Sequence, residues 1–151
     1  TMVTPQMLSQ TSLFERLTEE QLKAVADHSE EITCQQGEML FWEGDAAELL
    51  YILVEGELNV FVQLSSRPER VTVSVISQPY QTLGWSGLVA PHVYTASALC
   101  EVECHLVAID GVELIEVLKA DPAMGFTVMG RIAEMMSSRM RNTRFALLKT
   151  L

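Results

Sequence analysis

The chain has 151 residues, 48% of them apolar and 20% charged, which is enough for one packed domain, short for two, and too apolar for a disordered segment. Its net charge of -10 makes it a poor candidate for wrapping nucleic acid through phosphate contacts. Three cysteines without a CxxC spacing suggest neither a disulfide framework nor a zinc site, and no basic stretch followed by an apolar one opens the chain, so a cytoplasmic location is expected.

Thr1 ahead of Met2 reads as a cloning remnant. Thr4-Pro5 marks the start of a short helix, because proline suits the first helical position. In "LTEEQLKAVADHS" Thr18 precedes Gln21 by three residues, a capping-box spacing, and Leu22, Val25 and Ala26 share one face, so a helix is expected over about 18–28. N-terminal helices thus occupy 4–28.

The period then changes. "EEITC", "GEMLFW", "LLYILVEG" and "ELNVFVQL" are short runs rich in β-branched and aromatic residues, separated by turn-forming "QQG", "EGDAAE" and "EG". "SSRPE" reads as a hairpin turn, and "RVTVSVIS" alternates, with Val71, Val73 and Val75 on one face and Thr72, Ser74 and Ile76 on the other. From Val71 to Cys100 there is no Asp, Glu, Lys or Arg in 30 consecutive residues. Pro79, Gly84, Gly87 and Pro91 break that run, so it is too interrupted to cross a bilayer and no membrane association is expected. "TASALC" and "VECHLVAI" are further strands. About eight strands over 30–109 predict a mainly β fold, an antiparallel sandwich, jelly roll or β-roll with flanking helices.

From Asp110 the pattern is helical again over 110–151. One helix stops before Pro122, and Pro122 opens a long final helix. On it Phe126, Met129, Ala133, Met136, Met140, Thr143 and Leu147 recur at three- and four-residue steps. This stripe outruns what a small barrel can cover, so a homodimer through the C-terminal helix is expected. Residues 1–130 carry 19 acids and five bases, whereas 131–151 carry five bases and one acid. The basic segment from Arg139 to Lys149 reads as a solvated face near a helix C-terminus, and DNA binding is not expected from this chain alone.

"QQGEMLFWEGDAAELLYILVEGELNVF" places Gly37, Gly44 and Gly56 in tight turns, with Glu38, Asp45, Tyr51 and Glu57 around them. These residues fit G-E-x-L-x-x-x-G-D followed by Y-I-x-x-x-G-x-L, and the chain thereby resembles the cyclic nucleotide-binding domain family, found in catabolite-activator-type regulators, kinase regulatory subunits and gated channels. The resemblance extends over about the whole chain and implies an eight-stranded antiparallel β-roll (double-stranded β-helix) spanning 1–151 as one domain.

The resemblance also implies a phosphate-binding cassette over 83–98. The family pattern there is G-E-x-A-L-L, a short loop, then R-[ST]-A-T, with backbone N–H groups and the Arg meeting the phosphate and the Glu holding a ribose hydroxyl. In "LGWSGLVAPHVYTASA" Gly84 takes the glycine, Ser86, Gly87 and Leu88 follow, and after Thr95 the pair Ala96-Ser97 takes the A-T. Trp85 falls where Glu is expected and Tyr94 where Arg is expected. Losing a buried charge-assisted phosphate contact costs about 2–3 kcal/mol, or about two orders of magnitude in affinity. Cyclic nucleotide is therefore a disfavoured cofactor unless Arg131 or Arg139 on the final helix meets the phosphate. A neutral or aromatic ligand on Trp85 and Tyr94, or a hollow filled by those rings, are the other readings.

His28, His92 and His105 are scattered, so no metal site is expected, and His92 alone does not make a haem ligand. Cys34, Cys100 and Cys104 are expected to be strand-packing residues, and Cys100 and Cys104, which share strand parity across a turn, are within reach of each other. No Ser-His-Asp or paired-carboxylate arrangement stands out, and no enzymatic activity is expected. The expected function is a non-catalytic regulatory or sensor module signalling to an unidentified partner protein. The alternatives are the sensor half of a transcription regulator without its helix-turn-helix, or a degenerate domain acting only in protein–protein interaction.

Overall fold

The computed structural model describes residues 2–151; Thr1, taken above as a cloning remnant, lies outside the described residues. Two short helices, α1 (Pro5–Ser9) and α2 (Glu19–Ala26), precede the strands β1 (Ser29–Cys34), β2 (Met39–Phe41), β3 (Leu49–Glu55), β4 (Leu58–Gln63), β5 (Arg70–Ile76), β6 (Thr82–Leu83), β7 (Ser97–Cys100) and β8 (Cys104–Asp110). Helices α3 (Gly111–Ala120) and α4 (Pro122–Thr150) complete the order.

Local chemistry sets the helix starts. The Thr4 hydroxyl accepts from the Met7 N–H at 3.2 Å, and Thr18 and Gln21 form the reciprocal capping box at 2.9 and 3.2 Å. Asp110 caps α3 by accepting from the Glu113 N–H at 3.1 Å. Asp121 caps α4 by accepting from Met124 at 3.2 Å, with Pro122 in the first turn.

The strands form two four-stranded antiparallel sheets, ordered β1-β8-β3-β6 and β2-β7-β4-β5. The continuous apolar run of β3 reflects burial on both faces. Leu50 and Ile52 join Val107 and Ile109 of β8 under the helices, against Phe14, Leu22, Leu114 and Val128. Tyr51 and Leu53 point the other way, into the space between the sheets, with Leu58, Val60, Leu106 and Ala108. The first sheet therefore separates two cores, and the second has one face toward solvent.

Strand β5 departs from strict alternation. Val60 pairs with Ser74 while Phe61 pairs with Thr72, so Val73 is an extra residue and the parity reverses beyond it. Val71 and Val73 are buried as the alternation predicts, but Val75 is 49% exposed and Ile76 is buried in its place.

Gly37, Gly44 and Gly56 all adopt positive φ, at 85°, 92° and 128°. Gly56 has a second constraint, because a Cβ there would lie 2.6 Å from the Cys104 Sγ and 2.8 Å from its Cα. The turn from β3 to β4 thus needs glycine for conformation and for space.

Helix α4 rests on the body through Met124, Val128 and Ile132. Its second half passes over β5 and the cassette. The apolar stripe lies on another face: Phe126 is 85% exposed and Met140 73%, and Met129, Ala133 and Met136 are exposed as well. Thr143 and Leu147 are half-buried. No helix among the described residues is long and apolar enough to cross a membrane.

Candidate functional site

The uncharged run folds as the wall of the hollow between the sheets. Burial accounts for part of its charge-free composition: Thr82, Leu83, Trp85, Ser86, Gly87, Leu88, Tyr94 and the stretch Ala96–Ala98 are all buried, where an unpaired charge costs several kcal/mol, whereas Ser77–Pro79, Ala90, Pro91 and Thr95 are exposed. Gly84 sits in the left-handed region at φ 80° and starts a single 3-10 turn, Trp85–Gly87. Leu88 closes that turn with its N–H on the Trp85 carbonyl at 2.8 Å and packs into the helix-side core.

The return limb is paired to the loop between β2 and β3. Gly44 donates to the Tyr94 carbonyl at 2.9 Å, Tyr94 donates to the Asp45 carbonyl at 3.0 Å, and Ala47 donates to the His92 carbonyl at 2.8 Å. The Ser97 hydroxyl accepts from the Glu43 N–H at 2.8 Å. A His92 ring nitrogen meets the Ser86 carbonyl at 3.1 Å, so this histidine braces the loop. Among the described residues no group of three His, Cys, Asp or Glu side chains could hold a metal ion.

Tyr94 fills the hollow from one side. Its ring stacks on Phe41 with centroids 3.9 Å apart and planes at 12°, Phe41 stacks in turn on Tyr51 at 6.0 Å, and its hydroxyl donates to the Leu49 carbonyl at 2.7 Å. Burial pushes the Tyr94 phenol well up, and the neighbouring Tyr51 adds to the rise, so the hydroxyl is a neutral donor at physiological pH. Phe41 was missing from the sequence-based set. Its signal was the strand parity of "GEMLFW", which turns Phe41 inward, but nothing local shows that Tyr94 lies on it.

Trp85 fills the hollow from the other side, and Arg139 lies over its ring with the guanidinium carbon 4.5 Å from the centroid, a cation–π contact. Burial alone pushes the Arg139 pKa down to about 10, which leaves it cationic at physiological pH. Among the described residues no acid lines the hollow beside it; the lining is Phe41, Val60, Leu83, Gly84, Trp85, Ser86, Tyr94, Thr95, Ala96 and Arg139. The space left is about 10 Å³, room for roughly one water molecule. A second, larger hollow of about 250 Å³ adjoins it between β5, β6 and α4, also lined by Trp85 and Arg139.

The sequence-predicted residues therefore divide. Gly84, Trp85, Ser86, Tyr94, Thr95, Ala96 and Arg139 meet around one hollow. Gly87 and Leu88 support it from behind, since a Cβ on Gly87 would lie 3.0 Å from the Leu49 carbonyl. Arg131 does not take part: it is ion-paired with Glu15 at 2.6 Å and with Glu134 at 3.4 Å. The cysteines gather at one end of the roll: Cys100 meets Cys34 at 2.6 Å and also interacts with Cys104, whose thiol donates to the carbonyls of Glu57 and Val102 at 3.4 and 3.3 Å. The two sheets bring the ends of β1 and β7 together, a contact that parity along the chain does not reveal.

Comparison with known proteins agrees with this architecture. Residues 31–121 match the family model described as cyclic nucleotide-binding domain. A candidate cyclic nucleotide-binding protein from Geobacter metallireducens GS-15 is 32% identical with TM-score 0.80, over 92% of this chain and 99% of that one. The N-terminal domain of a transcriptional regulator from Streptomyces coelicolor A3(2) is 26% identical with TM-score 0.71, over 93% and 94%. The regulatory domain of Toxoplasma gondii PKA, solved with cAMP, is 27% identical with TM-score 0.66, over 77% of this chain and 42% of that one. No match was found among curated proteins. With the motif turns, the two-sheet roll and the family match in agreement, the chain belongs to the cyclic nucleotide-binding domain family, whose fold is regulatory and non-catalytic.

Proposed function

We propose that this protein is a regulatory module in which the state of the cassette is read out through α4. The observation that carries the proposal is the Arg139–Trp85 contact, because it joins the cassette to the helix that also exposes the apolar stripe. Anything that enters the hollow must displace this pair, since the resting space holds about one water. Moving Arg139 moves α4, and a population shift in that helix is the output to a partner protein. Ordinary cyclic nucleotide binding is disfavoured by Trp85 and Tyr94, which occupy the positions of the family's acid and base. Among the described residues Arg139 is the one cation lining the hollow, which favours an anionic ligand.

The stripe of Phe126, Met129, Ala133, Met136, Met140 and Leu147 is assigned to a second copy, paired helix to helix in the cytoplasm. Light scattering at micromolar concentration is expected to give a dimer, and Met140→Glu a monomer; a monomeric parent protein removes the dimer. For the ligand, thermal unfolding is followed with cyclic AMP, cyclic GMP, inorganic phosphate and small aromatic carboxylates. A ligand at 100 times its dissociation constant adds about 2.7 kcal/mol, or about 5–10 °C for a chain of this size. The shift should vanish in Arg139→Met and persist in Arg131→Met. No shift across the panel favours the second reading, a packed module acting only through protein contacts, which the nearly filled hollow supports.

The likeness to the N-terminal domain of a transcriptional regulator supports a third reading, a sensor unit with a DNA-binding unit elsewhere in the same regulator. Reading the gene beyond Leu151 for a helix-turn-helix decides it.

A further inference from the structure

We propose that Cys34 and Cys100 form an oxidation site, closing to a disulfide that ties the two sheets together, with Cys104 excluded from it. Three thiols gather at one end of the roll, all buried and free. Cys34 ends β1 in the first sheet and Cys100 ends β7 in the second. Their Sγ atoms lie 2.6 Å apart, within side-chain reach of a bond about 2.05 Å long.

Cys104 is nearer to Cys34 by strand register, being its partner across the β1–β8 ladder. Its thiol is engaged by the carbonyls of Glu57 and Val102 while still in reach of Cys100, and its Sγ fills the space where Gly56 has no Cβ. The glycine at the β3–β4 turn thus makes room for the third sulfur, and of the two thiols near Cys100 it is Cys34 whose Sγ stands at 2.6 Å.

Burial pushes both the Cys34 and Cys100 thiols up from their ordinary value, so the pair is held as thiols and its oxidation is slow, and burial restricts the oxidant to a small neutral one such as a peroxide. Cys34, the more accessible of the two, attacks one peroxide oxygen as thiolate. The O–O bond breaks, a sulfenic acid forms, and the departing hydroxide takes the thiol proton as water. Cys100 then attacks the sulfenic sulfur, its proton leaving with the displaced hydroxide as a second water. Two thiols lose two electrons, and one peroxide becomes two waters.

The bond would fix Cys100 four residues beyond Ala96 of the cassette, so oxidation stiffens the strand that leaves the ligand hollow. To test this, the native protein is treated with hydrogen peroxide, alkylated, digested and analysed by mass spectrometry. The expected result is a Cys34–Cys100 cross-linked peptide with Cys104 alkylated, the cross-link reversed by dithiothreitol and the thermal midpoint higher in the oxidised form. Cys104→Ser should retain the cross-link, and Cys100→Ser should abolish it. The same treatment in urea shows that the oxidant is competent. A native sample with all three thiols alkylated after that treatment, or a cross-link containing Cys104, overturns the proposal.

Discussion

Replacing Tyr94 with Phe removes one oxygen from the cassette and tests whether the hollow is held shut by its own side chains. The Tyr94 hydroxyl donates to the Leu49 carbonyl at 2.7 Å in a space with room for about one water. A net hydrogen bond contributes about 0.5–1.5 kcal/mol, and an acceptor left dry and unpaired costs about 1–3 kcal/mol. Tyr94→Phe is therefore expected to destabilise by about 1.5 kcal/mol. For a chain of this length that lowers the midpoint by about 3–6 °C, measured by thermal and urea unfolding with an unchanged m-value. Tyr94→Ala also removes the ring from Phe41, 3.9 Å away, and is expected to cost about 3–5 kcal/mol. If Tyr94→Phe changes stability by less than about 0.3 kcal/mol, far below the cost of an unpaired acceptor, the hydroxyl is not a closing contact and the packed cassette is refuted.

Gly56→Ala is expected to cost about 2–5 kcal/mol, from positive φ and from overlap with Cys104. Gly37→Ala, at φ 85° with nothing within 4 Å of the added carbon, should cost only about 1–2 kcal/mol; equal losses would show that the Cys104 contact is unimportant. The Asp121 carboxyl is held below its ordinary value of 3.8, first by the Gln21 amide and then by the Met124 N–H. Its stabilising effect is therefore fully present above about pH 4 and is lost as pH falls through the lower folded value. Asp121→Asn should flatten the acid limb of the stability curve in that range, and an unchanged limb removes the effect. Arg131→Ala, which breaks a partly exposed pair with Glu15, should cost no more than about 1 kcal/mol, and a larger loss in urea unfolding would mean that Arg131 anchors α4.

Much of the fold was legible because its signals are local. Capping residues, the Pro122 break between α3 and α4, three glycine turns and the apolar runs of β3 and β8 each answer a need met within a few residues. Strand β5 shows where this stops: whether Val75 or Ile76 faces inward depends on a bulge at Val73, and the bulge is defined only against β4.

The sequence by itself determined the β-roll, its motif turns and a run from Val71 to Cys100 without a charged residue. Only the tertiary structure decided which side chains meet around the hollow. Tyr94 reaches a carbonyl 45 residues away, Arg139 rather than Arg131 lies on Trp85, and Cys100 meets a thiol 66 residues away at 2.6 Å. Such contacts join separate strands and sheets, and the closure of two sheets around one hollow fixes them, which no periodicity along the chain encodes.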